Sequence, residues 1–253
     1  DGLECDQDIG NYERFLDTNI LRQNYMTTGL VYQTVIDRER RLEYGGKCVE
    51  VVPHIPEEVI RRIKLAAKKS EAQFALVEIG GTAGEYQNLL FLEAARIMKL
   101  RDPAYVALIL VSYLPVPQNL GEMKTKPTQY AVRTLNSAGL QPDIILARSS
   151  LSIDKPRKEK ISVFCNVLPE DIISAPDIKN IYEVPINFEK EKLADRILKK
   201  FNLKPRKQDG SAWRALQRKI ERAVRPLKIG IVGKYFTTGD FTLSDSYISV
   251  IEA

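Results

Sequence analysis

The stretch "AYVALILVSYLPVPQNLGEMKTKPTQYAVRTLNSAGLQPDIILAR" (104–148) contains a strand, a charged loop, a helix and a second strand in order. Its continuous apolar runs, 105–111 and 143–148, are typical of strands buried on both faces. Between them, 127–139 has a helical pattern, with Pro127 suited to a first turn and Gly139 to the residue after a last turn. A strand–helix–strand unit of this kind predicts a parallel sheet.

The same alternation extends along the chain, and we predict an α/β fold with a parallel sheet that has helices on both faces. Further strands are expected at 48–52, 74–79, 161–167 and 227–236. Further helices are expected at 56–69, 88–99, 188–201 and 212–224. Residues 202–211 have the composition of a linker, which indicates a domain boundary near 203–226.

Composition excludes several classes of protein. The chain has 253 residues, of which 44% are hydrophobic, enough for a buried core. No apolar run approaches the ~18 to 20 residues of a membrane span, and the first residues are acidic, unlike a signal peptide. We therefore expect a cytoplasmic protein with no membrane partner. Because the chain begins at Asp1, within a loop-like stretch, we also expect it to be a piece of a longer protein.

Cysteine and histidine are scarce. Cys5, Cys48 and Cys165 are far apart and odd in number, which favours reduced, mostly buried thiols over disulfides or a metal site. His54 is the one histidine, and a structural role is its default interpretation. Chemistry in this chain is therefore expected to use carboxylates, lysines and a metal.

The basic surplus is local. The net charge is +5 and the pI about 9.0, yet 190–228 alone holds 14 Lys and Arg against four Asp and Glu. A solvated helical surface is the default interpretation of this basic segment (190–228), and a face that binds a polyanion is the alternative. We expect no nucleic-acid partner.

Charged and glycine-rich segments follow the predicted strands. Glu78 precedes a glycine-rich turn at 80–84, Lys124 and Lys126 lie in the loop after 105–111, and Lys160 lies before the next predicted strand. Ligands of parallel sheets bind beyond the carboxyl ends of the strands, where lysines and backbone amides can balance phosphate charge. The pattern predicts a nucleotide triphosphate site, although a ligand-free tight turn and a solvated loop remain alternatives.

The acidic opening is a candidate cation site. In an extended segment Glu4, Asp6 and Asp8 would lie on one side and could share a divalent ion. A solvated acidic loop is the alternative.

Several motifs occur in order over nearly the whole chain. They include "DGLECDQDIGNYERFLD" (1–17), "VVPHIP" (51–56), "VEIGGTAGE" (77–85), "GEMKTKPTQ" (121–129), "QPDIILARS" (141–149) and "KISVFCNV" (160–167). Together these motifs resemble one family, the CTP synthases. Such enzymes phosphorylate O4 of UTP with ATP, and ammonia from glutamine then displaces the phosphate to give CTP.

The resemblance implies three regions. Residues 1–202 would form an N-terminally truncated amidoligase domain with a P-loop-type fold, 203–226 a linker with a basic amphipathic helix, and 227–253 the start of a class I glutamine amidotransferase domain. The family's ATP phosphate loop would precede Asp1, and its glutaminase Cys, His and Glu would follow Ala253. No catalytic residue is therefore expected within these 253 residues, and the piece alone is expected to be inactive.

The resemblance also implies site residues. Asp8 and Glu78 would be Mg²⁺ ligands, Asp8 and Ile178 would contact ATP, and His54 would lie on the ammonia path. The UTP and CTP site would comprise Glu85, Tyr86, Gln87, Lys124, Thr125, Lys126, Pro127, Thr128, Gln129 and Lys160. Residues 85–87 differ from the Asp-Ile-Glu usual in the family.

The implied partners are UTP, CTP, ATP, glutamine and GTP, the last as an activator, within a homotetramer. An alternative function is a non-catalytic module that binds pyrimidine nucleotides or serves assembly. A third is nucleic-acid binding through the basic segment, which would give a strong dependence on salt.

Overall fold

The computed structural model describes residues 6–119, 121–206, 209–234, 236–238, 241–242 and 247–252. The chain divides into two compact units. The first comprises the described parts of Asp1–Val49, Arg61–Val77 and Arg225–Ala253. The second comprises the described parts of Glu50–Ile60 and Glu78–Val224, and it contains the three-stranded sheet.

The sheet consists of β1 (Ile109–Tyr113), β2 (Ile144–Ser149) and β3 (Ile172–Pro176). The strands are parallel and lie in the order β1-β2-β3. In the register, Val111 lies opposite Leu146, which lies opposite Ile173. The predicted α/β fold with a parallel sheet is confirmed, as are the strand predicted at 143–148 and, shifted toward its carboxyl end, the strand at 105–111.

Both faces of the central strand are covered. Ile144 and Ile145 are adjacent in β2, so their side chains point to opposite faces, and both are fully buried. Burying such a side chain stabilises the fold by about 2 kcal/mol. The main core cluster contains Leu114, Met123, Val132, Ile145, Ala147, Ile153, Ile161, Cys165, Val167 and Ile172. A smaller cluster contains Leu92, Leu135 and Leu140.

The second unit also contains helices, some of which pack on this sheet. They are α4 (Leu89–Arg101), α5 (Lys126–Ser137), α6 (Lys155–Cys165), α7 (Val184–Lys190), α8 (Leu193–Lys200), α9 (Ser211–Arg222) and the beginning of α3 (Val51–Lys69). Helix α5 packs on β1, whereas α6 and α7 pack on β3. The helices predicted at 56–69, 88–99, 127–139 and 212–224 are confirmed within a few residues, and the one predicted at 188–201 is divided between α7 and α8.

The strand predicted at 161–167 is wrong, because most of this run lies in α6. Asp154 caps the helix by accepting a hydrogen bond from the Arg157 amide at 3.0 Å. Ile161 and Cys165, four residues apart, are buried, while Val163 is 80% exposed, which is helical periodicity. The strand that follows is β3, in the run "IISAP", which the sequence reasoning missed.

Three other predicted strands are absent from the described residues. Residues 51–52 are assigned to α3, although Val52 itself has non-helical dihedrals (φ −114°, ψ 125°). Residues 74–79 and the described part of 227–236 pair with no neighbour, and Leu76 is 87% exposed. A strand needs a partner for its backbone groups, and apolar composition alone does not supply one. Tyr235 lies outside the described residues.

The first unit contains α1 (Asp8–Leu16), α2 (Thr28–Arg40), the end of α3, the two-residue strands β4 (Thr237–Thr238) and β5 (Phe241–Thr242), and α10 (Ile248–Glu252). Thr27 caps α2 by accepting from the Leu30 amide at 3.1 Å. Arg62 of α3 donates to the Thr34 hydroxyl of α2 at 2.8 Å. Among the described residues, no helix has both the length and the apolar character to cross a membrane.

A buried carboxylate joins α8 to the start of β3. Asp171 is fully buried and accepts hydrogen bonds from Arg196 Nε at 2.7 Å and Lys200 Nζ at 2.6 Å. Burial alone would raise the pKa of Asp171, but the hydrogen bonds and charges of the two cations outweigh it and lower the pKa. The carboxylate therefore stays ionised and both of its oxygens are satisfied.

We expect Asp171→Asn to lower the free energy of unfolding by about 3 kcal/mol, because two cations then lose their buried counter-charge. Chemical denaturation at pH 7 measures this. Glu159→Gln is the matched control, since Glu159 makes only an exposed ion pair with Lys155 at 3.8 Å and should cost less than about 1 kcal/mol. Equal effects of the two changes would contradict a structural role for Asp171.

The difference in stability between the protein and Asp171→Asn should depend on pH. The pKa of Asp171 is lower in the folded state than the ordinary value of about 3.9. Its contribution is therefore complete above pH 4 to 5 and is lost as pH falls through the folded-state pKa. Denaturation curves of both proteins between pH 7 and pH 2.5 should converge at the acidic end, and a constant difference would contradict the ionised pair.

Candidate functional site

The loop 121–125, between β1 and α5, is anchored to the hydrophobic core. Met123 is buried in the main core cluster, and the Lys124 amide donates to the Pro115 carbonyl at 2.9 Å. These contacts leave Lys124 half-buried and Lys126 exposed. The loop and the first residue of α5 therefore hold Lys124 and Lys126 on a fixed backbone at the carboxyl end of β1.

Other residues of "KTKPTQ" (124–129) are buried or make hydrogen bonds that hold the start of α5 in place. Thr128 is fully buried, and its hydroxyl lies 2.8 Å from that of Ser112 in β1. Thr125 is buried and its hydroxyl accepts from Gln129 Nε2 at 3.0 Å. Pro127 lies in the first turn of α5, as predicted. The side chains of the two threonines thus hold the helix start in place, and the lysines supply the charge.

Helix α6 brings further cations to this loop. Lys126 Nζ lies 5.5 Å from the centre of the Phe164 ring. Arg157 Nε donates to the Met123 carbonyl at 3.0 Å. We call Lys124, Lys126, Arg157 and Lys160 the basic cluster. The structure brings the three predicted lysines to neighbouring elements, α5, its preceding loop and α6.

A carboxylate lies within the basic cluster. Glu122 accepts from Lys124 at 2.6 Å and lies 3.4 Å from Arg157. The hydrogen bond from Lys124 is the main cause of a lowered pKa of Glu122, and the charges of Arg157 and Lys160 contribute. Sequence reasoning missed Glu122 and Arg157; the only available signals were the Glu-x-Lys spacing and the position of Arg157 in the first turn after "IDKP".

The glycine-rich turn 80–88 is closed by its own side chains. Glu85 Oε1 accepts from the Thr82 amide at 3.0 Å, and Asn88 Nδ2 donates to the Thr82 carbonyl at 2.7 Å. The Thr82 amide is the main cause of a lowered pKa of Glu85. Gly84 has a φ of +95°, and a Cβ there would lie 2.4 Å from the Thr134 methyl group of α5, so only glycine fits.

This turn thus packs on α5, the helix that begins at Lys126. Thr134 lies about 12 Å along the helix from Lys126 at 1.5 Å per residue. Tyr86 is 95% exposed, and Gln87 Nε2 donates to Glu85 at 2.5 Å. The structure therefore places residues 85–87 on the same unit as the basic cluster, with the Glu85 carboxylate engaged in closing the turn.

The remaining predicted residues lie elsewhere. Asp8, in the first unit, begins α1 and accepts from Asn11 Nδ2 at 3.2 Å. Position 8 is therefore helical rather than extended, and Glu4 lies outside the described residues. Glu78 is exposed in the second unit. His54 Nδ1 lies 3.0 Å from the Glu50 amide, and Ile178 is half-buried just after β3.

Possible metal ligands and the cysteines complete the description of the candidate residues. The described ranges contain no group of three or more His, Cys, Asp or Glu side chains placed to hold a metal ion. Cys165 is buried as expected, and burial raises the pKa of its thiol to about 11, which makes it a poor nucleophile. Cys48 is exposed, so the prediction of mostly buried thiols holds for one of the two described cysteines; Cys5 lies outside the described residues.

Comparison with known proteins finds the same family in a family model and in several similar proteins. A family model described as CTP synthase N-terminus matches residues 1–203. Proteins named CTP synthase from Thermosynechococcus vestitus and Pyrococcus furiosus are 45% and 46% identical to the chain over 254 residues. A CTP synthase from Symbiobacterium thermophilum is 44% identical over 255 residues. All of this chain is aligned in each case, and it spans 46% of the length of each relative.

We expect Glu85→Ala to release the glycine-rich turn, because the Thr82 amide loses its acceptor. One net hydrogen bond of about 1 kcal/mol corresponds to roughly fivefold faster exchange of the Thr82 amide with solvent. Hydrogen exchange followed by NMR measures this directly. Tyr86→Ala alters the adjacent exposed side chain and should leave the Thr82 rate unchanged. An unchanged rate in Glu85→Ala would contradict the closure of the turn by Glu85.

Proposed function

The chain belongs to the CTP synthase family, and from that premise we propose that the protein catalyses the ATP-dependent amination of UTP to CTP. The observation that carries the proposal for this part of the protein is the basic cluster at the carboxyl end of β1. It joins Lys124 and Lys126 to α6, which carries Lys160. Lysines held on a fixed backbone beside a parallel sheet suit the phosphates of a nucleotide.

The proposed reaction has two chemical steps. O4 of UTP forms a bond to the terminal phosphorus of ATP, and the bond from that phosphorus to ADP breaks. Ammonia from glutamine then adds at C4, and inorganic phosphate leaves with the O4 oxygen. Phosphorylation is needed because an amide-like carbonyl oxygen is a poor leaving group. Positioning and electrostatic stabilisation dominate such transfers.

In this proposal Lys124, Lys126 and Lys160 bind the triphosphate of UTP, and CTP shares the site as an inhibitor. Thr125, Pro127, Thr128 and Gln129 set the backbone that carries the lysines, a role that the burial and hydrogen bonds of Thr125 and Thr128 support. Residues 85–87 are proposed to contact the pyrimidine. The packing of Gly84 against α5 supports their placement near the same ligand.

We keep ATP and Mg²⁺ as proposals for Asp8, Glu78 and Ile178. Mg²⁺ binds to proteins through one or two carboxylates, with phosphates and water completing its six ligands. Each carboxylate fits that chemistry by type, and a bound ion would offset charge on the transferring phosphoryl group. His54 is proposed to lie on the ammonia path, with its ring held at Nδ1 by residue 50.

The wider organisation is also proposed from the family. We propose residues 1–202 as an amidoligase domain, 203–226 as a linker and 227–253 as the start of a glutamine amidotransferase domain; the family match over 1–203 supports the first. Cytoplasmic location, a homotetramer and activation by GTP complete the proposal.

Binding of nucleic acid is not proposed. Part of the basic segment is neutralised within the second unit, because Arg196 and Lys200 contact Asp171 and Arg214 lies 2.5 Å from Glu189. Its surplus charge therefore serves the fold in part.

We expect the variant Lys124→Ala/Lys126→Ala of the full-length protein to bind UTP at least tenfold more weakly. One charge-assisted hydrogen bond of about 1.5 kcal/mol already corresponds to tenfold. Calorimetry with UTP and with CTP measures the loss. Lys155→Ala/Lys199→Ala removes the same charge from exposed positions of α6 and α8 and should leave the affinity within about twofold.

Two outcomes would overturn this assignment. A protein that binds neither UTP nor CTP has no such site, and a variant that binds as tightly as wild type has its site elsewhere. Formation of CTP from UTP, ATP and ammonia then separates an enzyme from a module that only binds nucleotides, since the module would bind UTP without turnover.

A further inference from the structure

Glu122 is placed where an anionic ligand of the basic cluster would lie. Its carboxylate oxygens contact two different cations, Lys124 at 2.6 Å and Arg157 at 3.4 Å. Lys160 is close enough for its charge to help lower the pKa of Glu122. A carboxylate between cations satisfies the same electrostatic demand as a phosphate oxygen.

Arg157, one of the cations around Glu122, is fixed by contacts that do not involve Glu122. Arg157 Nε donates to the Met123 carbonyl at 3.0 Å, and its Nη1 contacts Asp154, the residue that caps α6. Met123 is itself buried in the core. Removal of Glu122 would therefore leave Arg157 and the loop backbone in place.

Glu122 is, by contrast, held only at the surface. Its side chain is 56% exposed, and its two ion pairs are its only contacts with charged groups among the described residues. Exposed pairs of this kind are worth at most about 1 kcal/mol. The carboxylate can thus leave the cations at small cost when a more highly charged group arrives.

We propose that Glu122 is a built-in counter-ion of the basic cluster, which the triphosphate of a bound nucleotide displaces from Lys124 and Arg157. This inference rests on the proposed function and adds two residues to it. Glu122 weakens nucleotide binding by competing for the cations, and Arg157 becomes a further phosphate-binding group once Glu122 has left.

The test compares the affinity of full-length wild type, Glu122→Gln and Glu159→Gln for UTP by calorimetry at low and high salt. We expect Glu122→Gln, which has the same shape without the charge, to bind UTP about tenfold more tightly. Glu159→Gln removes an equal charge from the exposed surface of α6 and should change the affinity less than twofold. The gain in Glu122→Gln should shrink at 0.5 M salt because screening weakens exposed charges.

Binding of inorganic tripolyphosphate and of uridine shows which part of UTP competes with Glu122 for the cations. Tripolyphosphate binding should tighten in Glu122→Gln as UTP binding does, while uridine binding should not change. Glu122→Ala provides a second uncharged variant, so that a folding defect in one variant, checked by thermal denaturation, does not decide the result.

The outcomes separate this inference from the function on which it rests. If wild type binds UTP but Glu122→Gln binds equally or more weakly, the counter-ion role is wrong and the nucleotide site stands. If Glu159→Gln increases the affinity for UTP as much as Glu122→Gln does, the increase comes from the change in net charge, and the counter-ion role of Glu122 is wrong. If wild type binds no UTP and Lys124→Ala/Lys126→Ala does not differ from it, both proposals fail.

Discussion

The burial of Met123 is the constraint on which the charged loop depends. Its side chain belongs to the main core cluster, and its carbonyl accepts a hydrogen bond from Arg157. One residue therefore ties the loop both to the sheet and to α6. Its neighbours Glu122 and Lys124 are consequently held on a backbone that cannot drift, which is what preorganised binding of an anion requires.

The parallel sheet brings this loop and α6 together at one edge, where they form the candidate site. Parallel strands bring their carboxyl ends to one edge, so the loop after β1 and the helix before β3 can meet there. The hydroxyl pair of Ser112 and Thr128 fixes the first turn of α5 to β1. Buried polar pairs of this kind give a defined geometry because neither hydroxyl has water as an alternative partner.

The sequence predicted those helices and strands whose ends or composition are marked by residues within the segment itself. Pro127 and Gly139 mark the two ends of α5, and β2 is a continuous apolar run. Prediction failed where the secondary structure of a segment depended on contacts with residues outside that segment. The run 74–79 has strand composition but no pairing neighbour among the described residues, and 161–165 became helical because Asp154 supplies a cap.

The candidate site could likewise be predicted only in part from the sequence. Lysines after a strand were a visible signal at Lys124 and Lys126, and Lys160 was singled out because it precedes a run that proved helical. Their part in a nucleotide site stays a prediction. The burial of Thr128 was not visible, because threonine suits a core hydroxyl pair as well as a ligand contact. Nor was Arg157, whose relation to Glu122 exists only because two segments 35 positions apart meet at 3.4 Å.

Solvent exposure distinguishes the ion pairs of Asp171 from those of Glu122. Asp171 has a side chain that is 1% exposed, so water cannot replace its two cations and the network is permanent at neutral pH. Glu122 has the same chemistry at 56% exposure, where water and competing anions reach both partners. One carboxylate therefore stabilises the fold, while the other is exchangeable, and the difference follows from solvent access rather than from residue type.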